Sequence, residues 1–509
     1  MALAKTLSAI VIGVQAHIIE VEANIGVGLP GMYIIGMADT AIGESRDRIK
    51  TAVQNCQLSW PKTKTVVSLS PASLPKSGAH LDVAMCMAVL TAVGNNHAAL
   101  QKLASTLLLG EIGLDGRIKA VNGVLPTLLV AKETGIKTVV IPRANLAEAE
   151  ICDGISVLVV EHIRELYQWV IGEKTLDCAH SLLKNRVCAS NKVSLDMADI
   201  AGQQEAKYIA EIAATGGHHF LMMGPPGSGK TMIAQRMAGI LPPLVGDQQR
   251  ETTSIYSVLG KTYSGVIADP PFVAPHYSIT QAALLGGGQG KPMPGAVSLA
   301  HNGVLFLDEV SEIPAHILDS LRTPLEQGYV HLSRARMNIT FPARFQLVLA
   351  ANPCRCGSEE SSKCQCSSRV RRTYLSNLSG PLKDRLDIVV AMRNSGAVLH
   401  DCSSESSSTI AQRVAAGRQR AQWRWCKAGL SQYVTASVEA PIIRRKFPAK
   451  EDAMELLSAY LAQGMVSQRS VDRALKLAWT LADLEDIAQP TIDHVMRGLE
   501  LRNLSGINL

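Results

Sequence analysis

One octapeptide limits what this chain can fold into more than any other feature. Gly224-Pro225-Pro226-Gly227-Ser228-Gly229-Lys230-Thr231 follows the apolar run His219 to Met223 and leads straight into a helix-forming stretch, Met232 to Gly239. In that strand–loop–helix setting a G-x-x-x-x-G-K-[ST] segment curls so that successive backbone N–H groups point inward at a phosphate. The start of the helix adds the positive end of its dipole. Lys230 is then placed to reach the β- and γ-phosphates of a nucleotide, and the Thr231 hydroxyl to ligate Mg²⁺. A glycine-rich turn of no function is the competing reading. It leaves the strand and helix on either side unexplained.

The expected cofactors are therefore ATP and Mg²⁺, and two later strands supply what hydrolysis needs. Gly303-Val-Leu-Phe-Leu-Asp-Glu309 reads as a buried strand with two acids at its C-terminal edge, where ligands sit in parallel sheets. Asp308 is expected to hold the magnesium, and Glu309 to polarise the attacking water. Phe345 to Ala351 is a third strand, ending in Asn352-Pro353; Asn352 either orients water near the γ-phosphate or belongs to an Asn-Pro turn. Arg385, in Gly380-Pro-Leu-Lys-Asp-Arg-Leu-Asp387, reads as an arginine finger for a neighbouring subunit or as one half of a surface salt bridge.

A chain of 509 residues, 47% of them apolar, is too long for one core and can fill two or three. The net charge of +6 permits nucleic-acid binding without arguing for it, and aromatics at 4% weaken any base-stacking platform. Apolar stretches such as Val83 to Val93 fall short of the ~20 residues that cross a bilayer, so no membrane partner is expected. The early run Leu7 to Val14 continues through Ile18, Ile19 and Val21, which favours a first strand over a signal peptide. A cytoplasmic, reducing setting follows as the expectation, with the 11 cysteines free or metal-bound.

The layout read from the residues has five parts. Residues 1–170 mix short strands (Thr65 to Leu69, Thr138 to Pro142) with helices (Leu81 to Ala92, Leu125 to Thr134). A polar connector covers 171–198, and an alternating strand–helix core covers 199–397. A serine-rich linker, 398–409, leads to a helical region, 410–509, broken at Pro441, Pro448 and Pro490.

These motifs resemble the YifB/ComM family of magnesium-chelatase-like AAA+ ATPases over nearly the whole chain. The most specific stretches are Gly286-Gly-Gly288, Pro294-Gly295, Leu299 to Glu309, Ala350-Ala-Asn-Pro-Cys354, Ser379-Gly-Pro381 and Asp384-Arg385. The resemblance implies an α/β fold: a P-loop AAA+ parallel-sheet core, preceded by an α/β domain like the proteolytic domain of Lon and followed by an α-helical lid. It implies that Asn352 is sensor 1, Arg385 the finger, and Arg469 sensor 2, with Arg473 one turn later on the same face. It implies a homo-oligomeric ring, a hexamer, because the finger acts in trans. Tyr329 to Phe341 would be the hairpin inserted before sensor 1, carrying Arg334, Ala335, Arg336 and Met337 into a central pore. Leu285 to Lys291 would be the helix-2 insert. Related hexameric helicases grip DNA with both, and Arg336 or Lys291 on a phosphate would bind without sequence preference. Ordinary solvated charges are the competing reading. The chain departs from the family at Arg355 and Lys383, where proline and leucine are usual, and at Trp479, where arginine is usual.

Gly110 to Gly116 and Gly135 to Pro142 are similar to the proteolytic domain of Lon, which works with a serine nucleophile and a lysine base. On that resemblance His80 falls at the nucleophile position and Leu125 at the base position, so no peptidase activity is expected. Cys354-x-Cys356 and Cys364-x-Cys366 offer four thiolates that could make a tetrahedral zinc site, and with Arg369, Arg371 and Arg372 nearby this loop could touch DNA. Four reduced thiols in a loop are the alternative. Arg413 to Lys427 is a basic helix with Trp423 and Trp425: a DNA or subunit surface, or an amphipathic helix with a solvated basic face and its tryptophans in the core. Three functions stay open here. The expected one is an ATP-driven DNA motor, since ComM-like members of the family act as branch-migration helicases in natural transformation. A protein-remodelling ATPase resembling the magnesium chelatase motor is the second, and a scaffold that binds ATP without turnover the third.

Overall fold

The computed structural model describes residues 2–36, 40–76, 78–184, 195–261, 265–288, 292–334, 337–356, 358, 364–367, 369–370, 374, 377–393, 405–431 and 434–502. The chain divides into two units: Met1–Ser190 with Val245–Ile267, and Asn191–Leu244 with Ala268–Leu509.

In the first unit, β1 (Ala2–Ile12) and β2 (Gln15–Gly26) form an antiparallel hairpin, paired from Ala2↔Ile25 to Ile12↔Gln15. The apolar opening run is thus a strand. The other strands of its sheet are β3 (Gly31–Ile35), β4 (Lys64–Ser70), β5 (Thr106–Leu108), β8 (Thr138–Pro142), β9 (Ser156–Val160) and β10 (Asp177–Cys178). A small separate pair, β6 (Glu111–Ile112) and β7 (Ile118–Lys119), stands between β5 and β8 in sequence. The mixed eight-stranded sheet runs β10-β9-β8-β5-β1-β2-β4-β3. Alternation along β1 sends Ile10 into one core layer and Ala9 into another, as a period of two requires. The helix Asp82–Gly94 is buried at every position from Asp82 to Ala92, which explains why its sequence is apolar all round.

Two placements differ from the sequence expectation. Residues 177–184, expected within the connector, form β10 and the helix Ala179–Lys184, with Ala179 buried in the core beside Val157 and Val159. The helix Asp247–Val258, which follows the phosphate loop in sequence, belongs to the first unit. Its buried residues include Thr252, Thr253, Ser254 and Ser257 as well as Ile255 and Val258. Gly123 N–H donates to the Ser257 carbonyl at 3.0 Å, and the Ser257 hydroxyl donates to buried Glu148. The Glu148 carboxylate also accepts from Leu125 N–H (2.9 Å) and Asn145 Nδ2 (2.8 Å).

The second unit is built on β11 (Phe220–Met223), β12 (Phe272–Val273), β15 (Val304–Leu307), β18 (Gln346–Ala351) and β19 (Ile388–Ala391). All pairings are parallel, in the order β12-β15-β18-β11-β19. The strands β11, β15 and β18 are buried end to end, as sheets covered on both faces demand. Phe220, Met222, Phe306 and Val348 face one layer; Leu221, Met223, Leu307 and Leu349 face the other. Because β11 sits between β18 and β19, its C-terminal end is the switch point where such sheets bind ligands.

Between β15 and β18 the chain inserts the hairpin β16 (Tyr329–Arg334) and β17 (Met337–Pro342). It packs by Leu332 against Gly286 of a two-stranded ribbon, β13 (Gly286–Gly287) and β14 (Met293–Pro294). Lys291, Ala335 and Arg336, the side chains of Arg334 and Met337, Arg371 and Arg372, and linker residues 398–404 lie outside the described residues.

Helices close the chain. Trp425 is fully buried against Phe447 and Trp479, and Trp479 Nε1 donates to the Phe447 carbonyl at 2.8 Å. The tryptophan that departs from the family pattern is therefore core. The arginines of the helix Ser407–Lys427 turn inward: Arg413 to Glu211 and Glu405, Arg418 to the Ala214 carbonyl, Arg424 to Asp483. The amphipathic reading of that helix holds for Trp425 alone: Trp423 is exposed, and these arginines are claimed by carboxylates and a carbonyl rather than left on a solvated face. Among the described residues no helix is long and apolar enough to cross a membrane.

Candidate nucleotide-binding site

Residues Gly224 to Thr231 leave the C-terminal end of β11 and turn into the helix Lys230–Ile240. Gly224 must be glycine for space: a Cβ there would stand 2.6 Å from the Met392 carbonyl oxygen. Gly229 must be glycine for conformation, at φ +87°. The first N–H groups of the helix have no intrahelical acceptor, so the loop and helix start present donors to an anion. The Ser228 hydroxyl donates to the Pro225 carbonyl at 2.9 Å and closes the loop, while Pro226 and Gly227 stay exposed.

Lys230 is buried and folds back over the loop. Its Nζ donates to the carbonyls of Gly224 (2.7 Å) and Pro225 (2.8 Å) and to Asn352 Oδ1 (3.1 Å). Burial pulls the ammonium below its ordinary range, and Asp308 and Glu309 oppose that pull. Thr231 Oγ1 donates to Asp308 Oδ2 at 2.7 Å. A hydroxyl and a carboxylate held together in this way form an oxygen donor set that suits Mg²⁺. Glu309 is exposed, with a left-handed backbone at φ +48° and its N–H on Asp308 Oδ1 at 2.8 Å. Non-glycine residues adopt that conformation at a cost of about 1–2 kcal/mol, and it recurs where chemistry is done. Three strand ends of one sheet thus bring together Gly224 to Thr231, Asp308, Glu309 and Asn352. The residues fit ATP and Mg²⁺. When bound, the metal would neutralise charge on the phosphates, and the chain's own groups would hold the nucleotide and place the water.

Arg385 is elsewhere. It precedes β19, whose first residue Ile388 pairs with Phe220 at the start of β11, so Arg385 lies at the sheet edge opposite the phosphate loop. Its guanidinium pairs with Glu326 and donates to the Pro381 carbonyl at 2.5 Å, and its Nε is buried without an acceptor. Arg469 is exposed and pairs with Asp384 at 3.0 Å. Arg473 instead donates to the Arg385 carbonyl at 3.0 Å and pairs with buried Asp387. Burial alone would raise the Asp387 carboxyl; Arg473 and the hydrogen bond from His218 outweigh it and hold the group well below the usual carboxylate range.

The four cysteines of the sensor loop converge, with sulfurs within 4.8 Å of one another. The hydrogen bond from Cys354 draws the Cys356 thiol down to about 6, and burial pushes Cys354 up to about 12. Tyr374, beyond the cysteines in sequence, is buried. Tyr374, Glu326, Asp387 and His218 went unnoticed in the sequence, where no spacing or motif marks them.

Comparison with known proteins follows this geometry. Three family models match: "Magnesium chelatase, subunit ChlI" at residues 196–398, "Subunit ChlI of Mg-chelatase" at 21–145, and "Magnesium chelatase, subunit ChlI C-terminal" at 404–502. An uncharacterized protein of Mycobacterium tuberculosis is 45% identical over 509 residues, covering 99% of both chains. YifB of Escherichia coli is 36% identical over 96% of this chain and 95% of its own. Competence protein ComM of Haemophilus influenzae is 34% identical over 99% of this chain and 98% of its own. Lon protease 2 of Bacillus subtilis is 32% identical over 150 residues, 27% of this chain and 26% of its own. A complete phosphate-loop site on a parallel AAA+ sheet, with relatives matched end to end, places the chain in the YifB/ComM family of magnesium-chelatase-like AAA+ ATPases.

Proposed function

We propose that the chain is the subunit of a homo-oligomeric ring, a hexamer, that hydrolyses ATP to move on DNA as a branch-migration helicase. The observation that carries the reading is the split between the two edges of the sheet. Lys230, Asp308, Glu309 and Asn352 stand at one, and Arg385 at the other, where it cannot serve its own loop. A finger so placed acts on the next subunit's nucleotide once it leaves Glu326. Asn352 and Arg469 act as sensors in this reading, and Arg473 holds Arg469's helix to the core. DNA is the track because a full-length relative is a competence protein, and because the chain inserts the hairpin Tyr329–Pro342 between β15 and β18, packed on the glycine ribbon.

Further parts of the reading rest on single features. The first unit, residues 1–170 and the chain that packs with it, is an assembly or partner module without peptidase activity: Leu125, at the position of the Lon base, is fully buried and apolar. The four cysteines hold zinc, in a cytoplasmic setting that keeps thiols reduced.

The test is ATP turnover by the purified protein, with and without single-stranded and four-way-junction DNA, beside Glu309→Gln. Stimulation by DNA that the substitution abolishes, followed by junction migration, is the expected result. Turnover indifferent to every DNA refutes the DNA track and points to a protein-remodelling ATPase.

A further inference from the structure

The cysteine cluster begins beside Asn352. Asn352 closes β18, and Cys354 is only two residues further on. Asn352 in turn accepts the Lys230 ammonium at 3.1 Å. Whatever fixes Cys354 therefore restrains the chain that carries this amide.

The sulfurs are arranged to be fixed. Cys354 and Cys356 are 3.1 Å apart, Cys354 and Cys364 3.5 Å, and Cys356 and Cys364 3.6 Å, with Cys366 in the same cluster. Four Zn–S bonds of about 2.3 Å in a tetrahedron need sulfur–sulfur edges of about 3.8 Å. The set needs only sub-ångström adjustment to close on a metal. Cys354 anchors the cluster from the buried side, while Cys356, Cys364 and Cys366 are the accessible members.

We infer that zinc bound by Cys354, Cys356, Cys364 and Cys366 positions Asn352 for ATP turnover, so that the metal sets the rate of hydrolysis rather than the affinity for nucleotide. This rests on the zinc reading of the same cysteines. The mechanism is positional: a metal that fixes Cys354 restrains the chain two residues past Asn352, so its amide keeps its place when Lys230 turns to phosphate. The cysteines act through Asn352 and touch no substrate.

The experiment uses the full chain. Zinc is counted by elemental analysis, and Co²⁺ substitution reads the ligand set by its thiolate absorption. ATP turnover is resolved into kcat and KM for the native protein, for protein stripped by chelator and returned to Mg²⁺, and for Cys356→Ser and Cys366→Ser. Cys426→Ser, on an exposed cysteine outside the cluster, is the control. One zinc per chain is expected, with a tetrahedral thiolate spectrum that the two variants lose. Loss of metal is expected to lower kcat about tenfold with KM within about twofold, a change typical when an outer support is removed. Returning zinc should restore the stripped protein but not the variants. Zinc present, with kcat unchanged on its removal, overturns the inference and leaves the zinc site standing. No zinc in the protein overturns both. A rise in KM matching the loss in kcat would mean that the loop simply collapses, and that too overturns it.

Discussion

Arg469 and Arg473 stand one turn apart on the helix Gln468–Leu484, yet the structure gives them different partners and so different consequences when cut. The Arg473 side chain is 25% exposed and pairs with an Asp387 side chain that is 4% exposed. Arg473→Gln leaves that carboxylate with only His218 Nδ1 at 3.3 Å and His219 N–H at 3.2 Å. Removing one partner of a buried pair costs about 3–5 kcal/mol, and the partial exposure of Arg473 favours the lower end. At about 2–4 °C per kcal/mol for a domain of this class, the melting temperature should fall by roughly 6–12 °C. Arg469 and Asp384 are 78% and 55% exposed, a pairing worth about 0–1 kcal/mol, so Arg469→Gln should move the melt by no more than about 4 °C. It should instead lower ATP turnover, because its guanidinium is free to leave Asp384 for a nucleotide. Thermal unfolding beside ATP turnover decides the matter. Equal melting losses for the two variants, or a stable Arg473→Gln, would refute the distinction between latch and sensor.

Other consequences follow from the same packing. Gly224→Ala should abolish nucleotide binding in a fluorescent-ATP titration, because the methyl would meet the Met392 carbonyl oxygen at 2.6 Å, on backbone that cannot retreat. Burial lowers the His219 ring to about 4, where it accepts Leu347 N–H at 3.0 Å. The unfolded chain takes up that proton near 6.5, so stability is full above this pH and falls on the order of 2 kcal/mol toward pH 4. Denaturant melts should show the decline, and His219→Asn should flatten it. Ser257→Ala removes a donor from buried Glu148 and should cost about 1–3 kcal/mol, seen as faster hydrogen exchange in the helix Asp247–Val258.

The phosphate loop was legible because its chemistry is local. Glycines at 224, 227 and 229, the lysine and the threonine are dictated by how a short backbone must curl around an anion, and no distant residue alters that. The strands His219 to Met223, Val304 to Leu307 and Phe345 to Ala351 were legible because a strand covered on both faces must be apolar throughout. The acids at 308 and 309 followed from lying at the end of such a strand.

What the sequence left undecided depends on partners far along the chain. The helix Asp247–Val258 buries hydroxyls that look solvated until Glu148 accepts from Ser257 and Ile267 N–H donates to Thr253, so its place in the first unit has no local sign. The basic helix Ser407–Lys427 looks like a surface for phosphates, and only the fold brings Glu211, Asp483 and the Ala214 carbonyl against its arginines. Local pattern fixed the parts that bind phosphate. Tertiary structure decided which charges are left to meet a partner, because a buried carboxylate or carbonyl claims an arginine wherever the fold brings them together.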